Sequence, residues 1–187
     1  MTPKSKFKET EIGEIVRLGE IVNIKTGKLD SNYAEEGGKY PFFTCAPFPL
    51  RINDFAFDSE AILLAGNNAN GIFHLNYYKG KFNAYQRTYV ITVKDDSRTN
   101  LGYLYYHLHL SLNMLRHFSQ GTSTKFLTMK ILDSLEMVLP QIEEQRKISK
   151  TLSDLDSKIE LNQQMTKTLE AIGQTIFKRW FIDFEFP

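Results

Sequence analysis

Two closely spaced histidines, His107 and His109, could in principle bind a metal ion. They lie two positions apart in a segment with helical spacing of its apolar residues, so their rings point to different sides and cannot share one ion. A second pattern, Asp156-Ser157-Lys158, has the Asp-x-Lys spacing of many nucleases. It falls on the polar side of another predicted helix, where three solvated side chains are the simpler explanation. Neither pattern predicts a catalytic site.

Other types of active site find no better support. Cys45 is the single cysteine, and no histidine stands near it in the sequence to suggest an activated thiol. The stretch Asp30-Ser31-Asn32-Tyr33 matches the Asp-Pro-Pro-Tyr signature of amino-methyltransferases only at its two ends. The sequence also lacks a GxxxxGK[ST] phosphate-binding loop. We therefore expect a protein that performs no catalysis and holds no cofactor or metal of its own.

Polar segments between the predicted strands and helices suit a different chemistry, the binding of DNA. The segment Ser119–Lys125 offers hydroxyl groups, backbone amides and one ammonium group, all of which can bind phosphate oxygens. An ordinary solvated linker would have the same composition, so both interpretations stay open. Arg87 could equally pair with a carboxylate, and the asparagines at 67, 68 and 70 are expected to form a turn. The candidate DNA-binding residues are Lys28, Arg87, Ser119, Gln120, Gly121, Thr122, Ser123 and Lys125.

Composition limits the kinds of protein to be considered. The chain has 187 residues, a net charge of +1 and 42% hydrophobic residues, which together predict a folded core without bulk attraction for nucleic acid. Any DNA contact would need local clustering of basic residues. A single cysteine excludes an internal disulfide framework and fits a reducing compartment. No apolar run approaches the roughly 20 residues of a membrane span, and residues 1–13 lack an apolar centre. The sequence predicts a soluble, cytoplasmic protein.

Residues 15–139 alternate short apolar strands with turns. Strands are predicted around residues 21–24, 40–44, 61–65 and 87–93, with polar turns at residues 58–60 and at 79–81, and with Gly19 in a further turn. Asn100 is placed to cap a helix that ends near Phe118, and Thr128–Asp133 is predicted to form one helical turn. Because the βαβα alternation of a doubly wound fold is absent, we predict an α+β fold with a mixed or antiparallel sheet.

A long amphipathic helix is predicted from Glu143 to Phe177, and its length dominates the chain. At 1.5 Å per residue it would extend about 50 Å, more than a domain of this size can cover. We therefore expect the apolar stripe to contact a partner helix, although packing against the helix's own domain stays an alternative. Asn162 and Thr166 interrupt the stripe, as polar residues that fix a coiled-coil register do. The predicted seam residues are Ile148, Leu152, Leu155, Ile159, Met165, Leu169, Ile172 and Ile176.

Four stretches of this chain resemble the specificity subunits of type I restriction–modification systems. They are LGEIVNIKTGK at residues 18–28, YPFFT at 40–44, the segment 62–91, and the segment 121–160 that continues to FKRWFIDF at 177–184. The most specific piece is LPQIEEQRKI, which begins at Leu139. Together these stretches extend over nearly the whole chain.

The resemblance implies a DNA target recognition domain at residues 1–140 followed by a conserved helical region with an aromatic tail at residues 141–187. Such a subunit binds double-stranded DNA and positions methylation subunits, with or without restriction subunits, on a bipartite target. The methyl donor S-adenosylmethionine would belong to the methylation subunit. Family members usually contain two recognition domains and two helical regions, whereas this chain has one of each. It is expected to be either a natural half-subunit that forms a homodimer or a fragment of a longer subunit.

Two alternatives from other functional classes remain at this stage. A free-standing dimeric DNA-binding regulator would use the helix only for dimerisation. A coiled-coil adaptor would use it without contacting DNA. Co-purification with a methylation subunit distinguishes the first interpretation from both.

Overall fold

The computed structural model of the chain describes residues 12–68, 72–118 and 125–186. It divides into two compact units, residues 1–147 and 148–187. The boundary at residue 140 between the recognition domain and the helical region separates two functions, and it stays a prediction. The strands are β1 (Glu14–Arg17), β2 (Val22–Thr26), β3 (Tyr40–Phe43), β4 (Leu50–Ile52), β5 (Phe57–Ala65), β6 (Asn67–Asn68), β7 (Leu75–Ala84), β8 (Thr88–Val93), β9 (Lys125–Phe126) and β10 (Glu136–Leu139). The helices are α1 (Leu18–Ile21), α2 (Leu101–Phe118), α3 (Met129–Asp133) and α4 (Ile142–Phe177).

A six-stranded sheet forms the centre of the first unit, in the order β2-β8-β5-β7-β3-β4. All neighbouring strands are antiparallel except β3 and β7, which run parallel. All five residues of β5 from Ala61 to Ala65 are buried. Because successive side chains of a strand point to opposite faces of the sheet, both faces are covered here. The mixed sheet and the separate long helix confirm the predicted α+β fold class.

The sheet curls strongly, which can be deduced from its connections. β7 and β8 lie on opposite sides of β5, yet only three residues join the end of β7 to the start of β8. A turn closes that link, with the amide of Thr88 2.8 Å from the carbonyl oxygen of Tyr85. A parallel bridge between Leu29 and Tyr85 then joins the continuations of β2 and β7. The curled strands enclose a core cluster of Phe43, Ala61, Leu63, Phe82, Ala84 and Val90.

Two turns predicted within this sheet were wrong. Residues 58–60 lie inside β5 and residues 79–81 lie inside β7, and the two segments pair with each other. The Lys79 ammonium group lies 3.3 Å from the Glu60 carboxylate across the strands. Opposite charges on neighbouring strands stabilise extended backbone at positions where the local composition favours a turn. The predicted turn at Gly19 was also wrong, because this residue lies within α1.

Two helices of the first unit, α2 and α3, lie where the sequence predicts them. The Asn100 side chain accepts a hydrogen bond from the amide of Tyr103 at 2.9 Å and so caps α2. Thr128 caps α3, its side chain accepting from the amide of Ile131 at 3.4 Å. α2 packs on β5 and β7, with Leu104 and Leu108 completely buried.

A two-stranded sheet of β1 and β10 leads into α4, and one buried glutamine organises this junction. Gln145 is completely buried. Its amide nitrogen donates to the carbonyl oxygens of Arg98 at 2.9 Å and Pro140 at 2.7 Å. Its amide oxygen accepts from the backbone amide of Asn100 at 2.8 Å. Gln145 thus satisfies three backbone groups with one buried side chain.

Replacing Gln145 with alanine is expected to lower the free energy of unfolding of the first unit by about 3 kcal/mol, because each unsatisfied buried group costs on the order of 1 kcal/mol or more. Urea denaturation followed by circular dichroism measures the change. Gln141→Ala provides a matched control, since the Gln141 side chain is exposed on the same segment. Equal stability of the two variants would contradict this role for Gln145.

The second unit is built from α4, which has 36 residues and is therefore about 54 Å long. This confirms the predicted helix, whose first residue lies one position earlier than expected. The seam residues from Leu155 onward are between 42% and 64% exposed.

A π-helical turn, Lys178–Ile182, follows α4. Ion pairs join Lys178 to Asp183 at 2.8 Å and Arg179 to Glu185 at 3.3 Å. No helix among the described residues is both long and apolar enough to span a membrane.

Candidate nucleic-acid interface

A miniature sheet joins the two polar segments of the first unit. β6 pairs with β9 in antiparallel fashion, with Asn67 opposite Phe126 and Asn68 opposite Lys125. The amide of Leu127 also donates to the carbonyl oxygen of Gly66 at 2.8 Å. Asn67–Asn68, which follow β5, and Lys125–Phe126 are therefore held side by side. They are more than 50 residues apart in the sequence.

Arg87 lies beside this miniature sheet, and its backbone is held from two directions. Its carbonyl oxygen accepts from the amide of Gly66 at 2.8 Å and from the Cys45 thiol at 3.7 Å. A side chain at position 66 would not fit, since a Cβ atom there would lie 2.5 Å from the same carbonyl oxygen. The glycine allows the two backbone segments to approach closely enough for the amide contact.

The Arg87 guanidinium group lies over the ring of Phe126, with its central carbon 5.6 Å from the ring centre. A cation–π contact at this distance holds the guanidinium group beside the ring while its N–H groups remain able to donate hydrogen bonds. Among the described residues, no carboxylate forms an ion pair with Arg87. The alternative in which Arg87 pairs with a carboxylate thus finds no support, and its charge is available to a ligand.

Two further contacts hold the miniature sheet, one beside β9 and one on β6. The Tyr89 hydroxyl donates to the carbonyl oxygen of Leu127 at 2.7 Å, and burial raises the pKa of Tyr89, so this hydroxyl keeps its proton. The Cys45 thiol donates to the Asn67 side-chain oxygen at 2.7 Å. Cys45 therefore has a structural role on the described surface.

Lys28 is exposed on the turn that follows β2 and lies near the Arg87 segment. Its neighbour Leu29 bridges to Tyr85 and accepts from the amide of Gln86 at 2.9 Å. The side chain of Gln86 donates to Asp30 at 3.2 Å, so a carboxylate also belongs to this surface. The surface mixes charges, in agreement with the nearly neutral composition of the chain.

The structure brings together three of the predicted DNA-binding positions: Lys28, Arg87 and the backbone of Lys125. The side chain of Lys125 and residues Ser119, Gln120, Gly121, Thr122 and Ser123 lie outside the described residues. Sequence reasoning missed Phe126, which is 37% exposed and supports Arg87. The sequence held one indication of this role, because Phe126 directly follows Lys125 at the end of a polar segment.

The two histidines considered as metal ligands lie in different environments, since His109 is exposed. His107 is partly buried in α2, and burial lowers its pKa, which favours the neutral ring. Among the described residues, no group of three or more histidine, cysteine or carboxylate side chains is arranged to hold a metal ion.

Solved structures of other proteins share this fold. The type I restriction–modification S subunit from M. genitalium matches 97% of this chain and 49% of its own length, with a TM-score of 0.77 and 20% identity. The HsdS subunit from Thermoanaerobacter tengcongensis matches 95% of this chain and 47% of its own, with a TM-score of 0.58 and 20% identity. The fold is that of one half of such an S subunit.

Sequence comparison gives the family. The chain belongs to the type I restriction modification DNA specificity domain family, whose model matches residues 12–171. It is 39% identical over 165 residues to the Escherichia coli type I restriction enzyme EcoDI specificity subunit. This match covers 88% of this chain and 35% of the relative. It is also 30% identical over 209 residues to the MjaIX specificity subunit of Methanocaldococcus jannaschii, a match that covers 97% of this chain and 48% of that relative. The chain spans between about a third and a half of these relatives' lengths.

Proposed function

We propose that this chain is a DNA-recognition subunit of a type I restriction–modification complex. Family membership over residues 12–171 is the observation that carries the proposal. The first unit would contact the DNA, and the second would hold two recognition units at a fixed separation. The chain itself would perform no catalysis. Methyl transfer, with S-adenosylmethionine as donor, would belong to a methylation subunit in the cytoplasm, joined in some complexes by a restriction subunit.

The surface around the miniature sheet of β6 and β9 is the DNA contact that we favour. Arg87 provides an oriented guanidinium group of the kind that binds guanine edges or phosphates. Lys28 and Lys125 would extend the same surface. These contacts are few. Affinity would therefore depend on contacts in the grooves of the DNA and on the fit between protein and DNA shape, as well as on charge.

Replacing Lys125 with alanine is expected to weaken binding to all DNA sequences to a similar extent, on the order of 5-fold at moderate salt, because a phosphate contact releases counterions without reading bases. The slope of the logarithm of affinity against that of salt concentration should decrease by about 1. Fluorescence anisotropy with specific and unrelated duplexes across a salt series measures both effects.

Lys79→Ala is the matched control, since the Lys79 ammonium group is already paired with Glu60. Unchanged affinity and unchanged salt slope in the Lys125 variant would remove this segment from the proposed interface.

Self-association would complete the recognition of a bipartite target. In a pair of antiparallel α4 helices, the first units follow the opposite ends of the pair, because each is connected to the amino end of its own helix. A two-fold dimer presents the same surface twice, so its target would be an inverted repeat. The helix of about 54 Å exceeds the 34 Å or so of one DNA turn, so an unread spacer would separate the half-sites.

Co-purification with a methylation subunit tests the function most simply. We expect a stable complex that binds one specific duplex more tightly than unrelated DNA. A chain that binds DNA but never a methylation subunit would instead be a free-standing regulator. A chain that does neither would be a coiled-coil adaptor.

A further inference from the structure

The loop between β3 and β4, residues 44–49, presents one aromatic side chain to solvent. Phe48 is 79% exposed, more than any other aromatic residue among those described. The prolines on both sides of it, Pro47 and Pro49, are exposed as well. Isolated exposed apolar side chains are common on protein surfaces. The stiffness of its backbone and its position beside Arg87 distinguish Phe48 from such residues.

The backbone around Phe48 is restricted by the two prolines. Each proline ring fixes its own φ angle at about −65° and also disfavours helical angles for the residue that precedes it. Pro47 therefore restricts Ala46, and Pro49 restricts Phe48 itself. Four consecutive residues of the loop lose conformational freedom in this way. Phe48 can consequently bind a ligand with little further loss of backbone entropy.

The start of this loop is held against the candidate nucleic-acid interface. The Cys45 thiol lies 2.7 Å from the side-chain oxygen of Asn67 on β6 and 3.7 Å from the carbonyl oxygen of Arg87. The Thr44 hydroxyl accepts a hydrogen bond from the amide of Ala46 at 3.3 Å and closes a local turn. The loop is thus attached to both the miniature sheet and the backbone that carries the guanidinium group.

Phe48 is close enough to Arg87 to contact the same stretch of DNA. It follows Cys45 by three positions, and a fully extended chain spans at most about 3.6 Å per residue, so the two Cα atoms lie within about 11 Å of each other. Base pairs follow one another at about 3.4 Å along a duplex. Phe48 would therefore meet the duplex within a few base-pair steps of Arg87. Residues 44–50 include no carboxylate that would repel phosphates.

The apolar ring suits the interior of the base stack. Phenylalanine side chains enter DNA as wedges between base pairs, and an aromatic ring stacks favourably on any base, because every base has a π face. A protein partner could instead add a strand to β4, which lies at the edge of the sheet. Pro49 directly precedes β4 and lacks the backbone amide that an added strand would use. The position beside Arg87 and this missing donor favour DNA over a protein.

We propose that Phe48 inserts between two base pairs of the target duplex, beside the position that Arg87 contacts. Insertion separates one base-pair step, which is easiest at a flexible pyrimidine–purine step. Phe48 would then contribute to specificity through the deformability of the DNA, whereas Arg87 contributes hydrogen bonds. The inference rests on the proposed function, because it requires the first unit to contact DNA.

The variant Phe48→Ala tests the inference in the full chain assembled with a methylation subunit. The DNA is a duplex that contains the target methylated by the wild-type complex. We expect specific affinity to fall on the order of 30-fold, comparable with the loss of one matched base pair. The dependence of affinity on salt should not change, because a neutral side chain releases no counterions. Phe48→Trp retains an aromatic wedge and should bind within about 3-fold of the wild type.

Leu110→Ala is the matched control, since Leu110 is 83% exposed on α2 and its truncation removes a comparable apolar side chain from the surface. It should leave DNA affinity unchanged. Thermal unfolding of all three variants should match that of the wild type, as expected for exposed side chains.

Fluorescent base analogues report insertion directly. 2-Aminopurine or pyrrolocytosine replaces one unmethylated base of the target at a time, so that the base extruded for methylation gives no signal. With the wild-type chain, emission should rise at least about 2-fold at one base-pair step, because stacking quenches these analogues and insertion removes it. Phe48→Ala should give no such rise at a concentration that saturates the DNA.

Each other outcome has a definite meaning. If Phe48→Ala binds as tightly as the wild type, the inference is refuted and the proposed function stands. If Phe48→Ala binds more weakly but no analogue brightens with the wild type, Phe48 contacts a groove without insertion, and the inference is wrong. If Phe48→Ala loses the methylation subunit instead, Phe48 contacts a protein. A wild-type complex without specific DNA binding would refute the proposed function and this inference with it.

Discussion

Replacing Leu155 and Ile159 together with glutamate is expected to convert the dimer into a monomer, with self-association weakened at least about 1,000-fold. The two residues are 51% and 55% exposed in the single chain and lie in the middle of the apolar seam. In a pair of helices the substitutions would bury four carboxylates opposite apolar side chains, and each uncompensated buried charge costs several kcal/mol. Sedimentation equilibrium measures the change in dissociation constant.

A matched control uses the same spacing on the polar side of the helix. Ser153→Glu with Ser157→Glu adds two carboxylates four residues apart at exposed positions and should leave the dimer intact. Thermal unfolding of the first unit should be unchanged in both double variants. If the Leu155 and Ile159 variant sediments as a dimer, the seam is not the interface.

Inserting two base pairs into the unread spacer of the DNA target is expected to reduce specific affinity on the order of 1,000-fold. The insertion rotates one half-site by about 70° around the duplex and displaces it by about 7 Å, so a rigid pair of helices can no longer serve both half-sites. Binding should fall towards that of a single half-site. Equilibrium binding at one fixed salt concentration measures the loss.

Exchange of spacer bases at constant length is the control for this experiment, and it should leave affinity nearly unchanged. Sensitivity to base identity without sensitivity to length would show that the spacer is read and that the helices do not fix the separation.

Local patterns in the sequence were sufficient to predict three of the described helices, α2, α3 and α4, but not the short helix α1. Asn100 caps α2 as predicted, because a cap depends on residues only three positions apart, and the helical turn predicted at residues 128–133 is α3. The apolar periodicity of α4 likewise needs no tertiary partner to be recognised. The fold class followed from the order of these elements.

The course of β5 and β7 could not be predicted from local patterns. Residues 58–60 and 79–81 favour turns when considered alone, and they become extended because they pair with each other across the two strands. Such pairing joins residues about 20 positions apart, and propensity does not contain that information.

The candidate interface was only partly predictable for the same reason. Arg87 and Phe126 are 39 positions apart and meet because the curled sheet brings the start of β8 beside β9. Gln145 was noticed only as part of a family resemblance, and its three backbone partners explain why a glutamine stands there. Residues 119–124, the first choice from sequence, lie outside the described residues, so their role stays a prediction.

Mapping methylated bases in cells that carry this chain as their only specificity subunit tests the central claim most directly. Single-molecule sequencing of such DNA locates each modified position together with its flanking sequence. The account predicts one bipartite inverted repeat, with identical half-sites separated by a spacer of fixed length and free sequence. A continuous target, or two unlike half-sites, would contradict recognition by a symmetric pair of this chain.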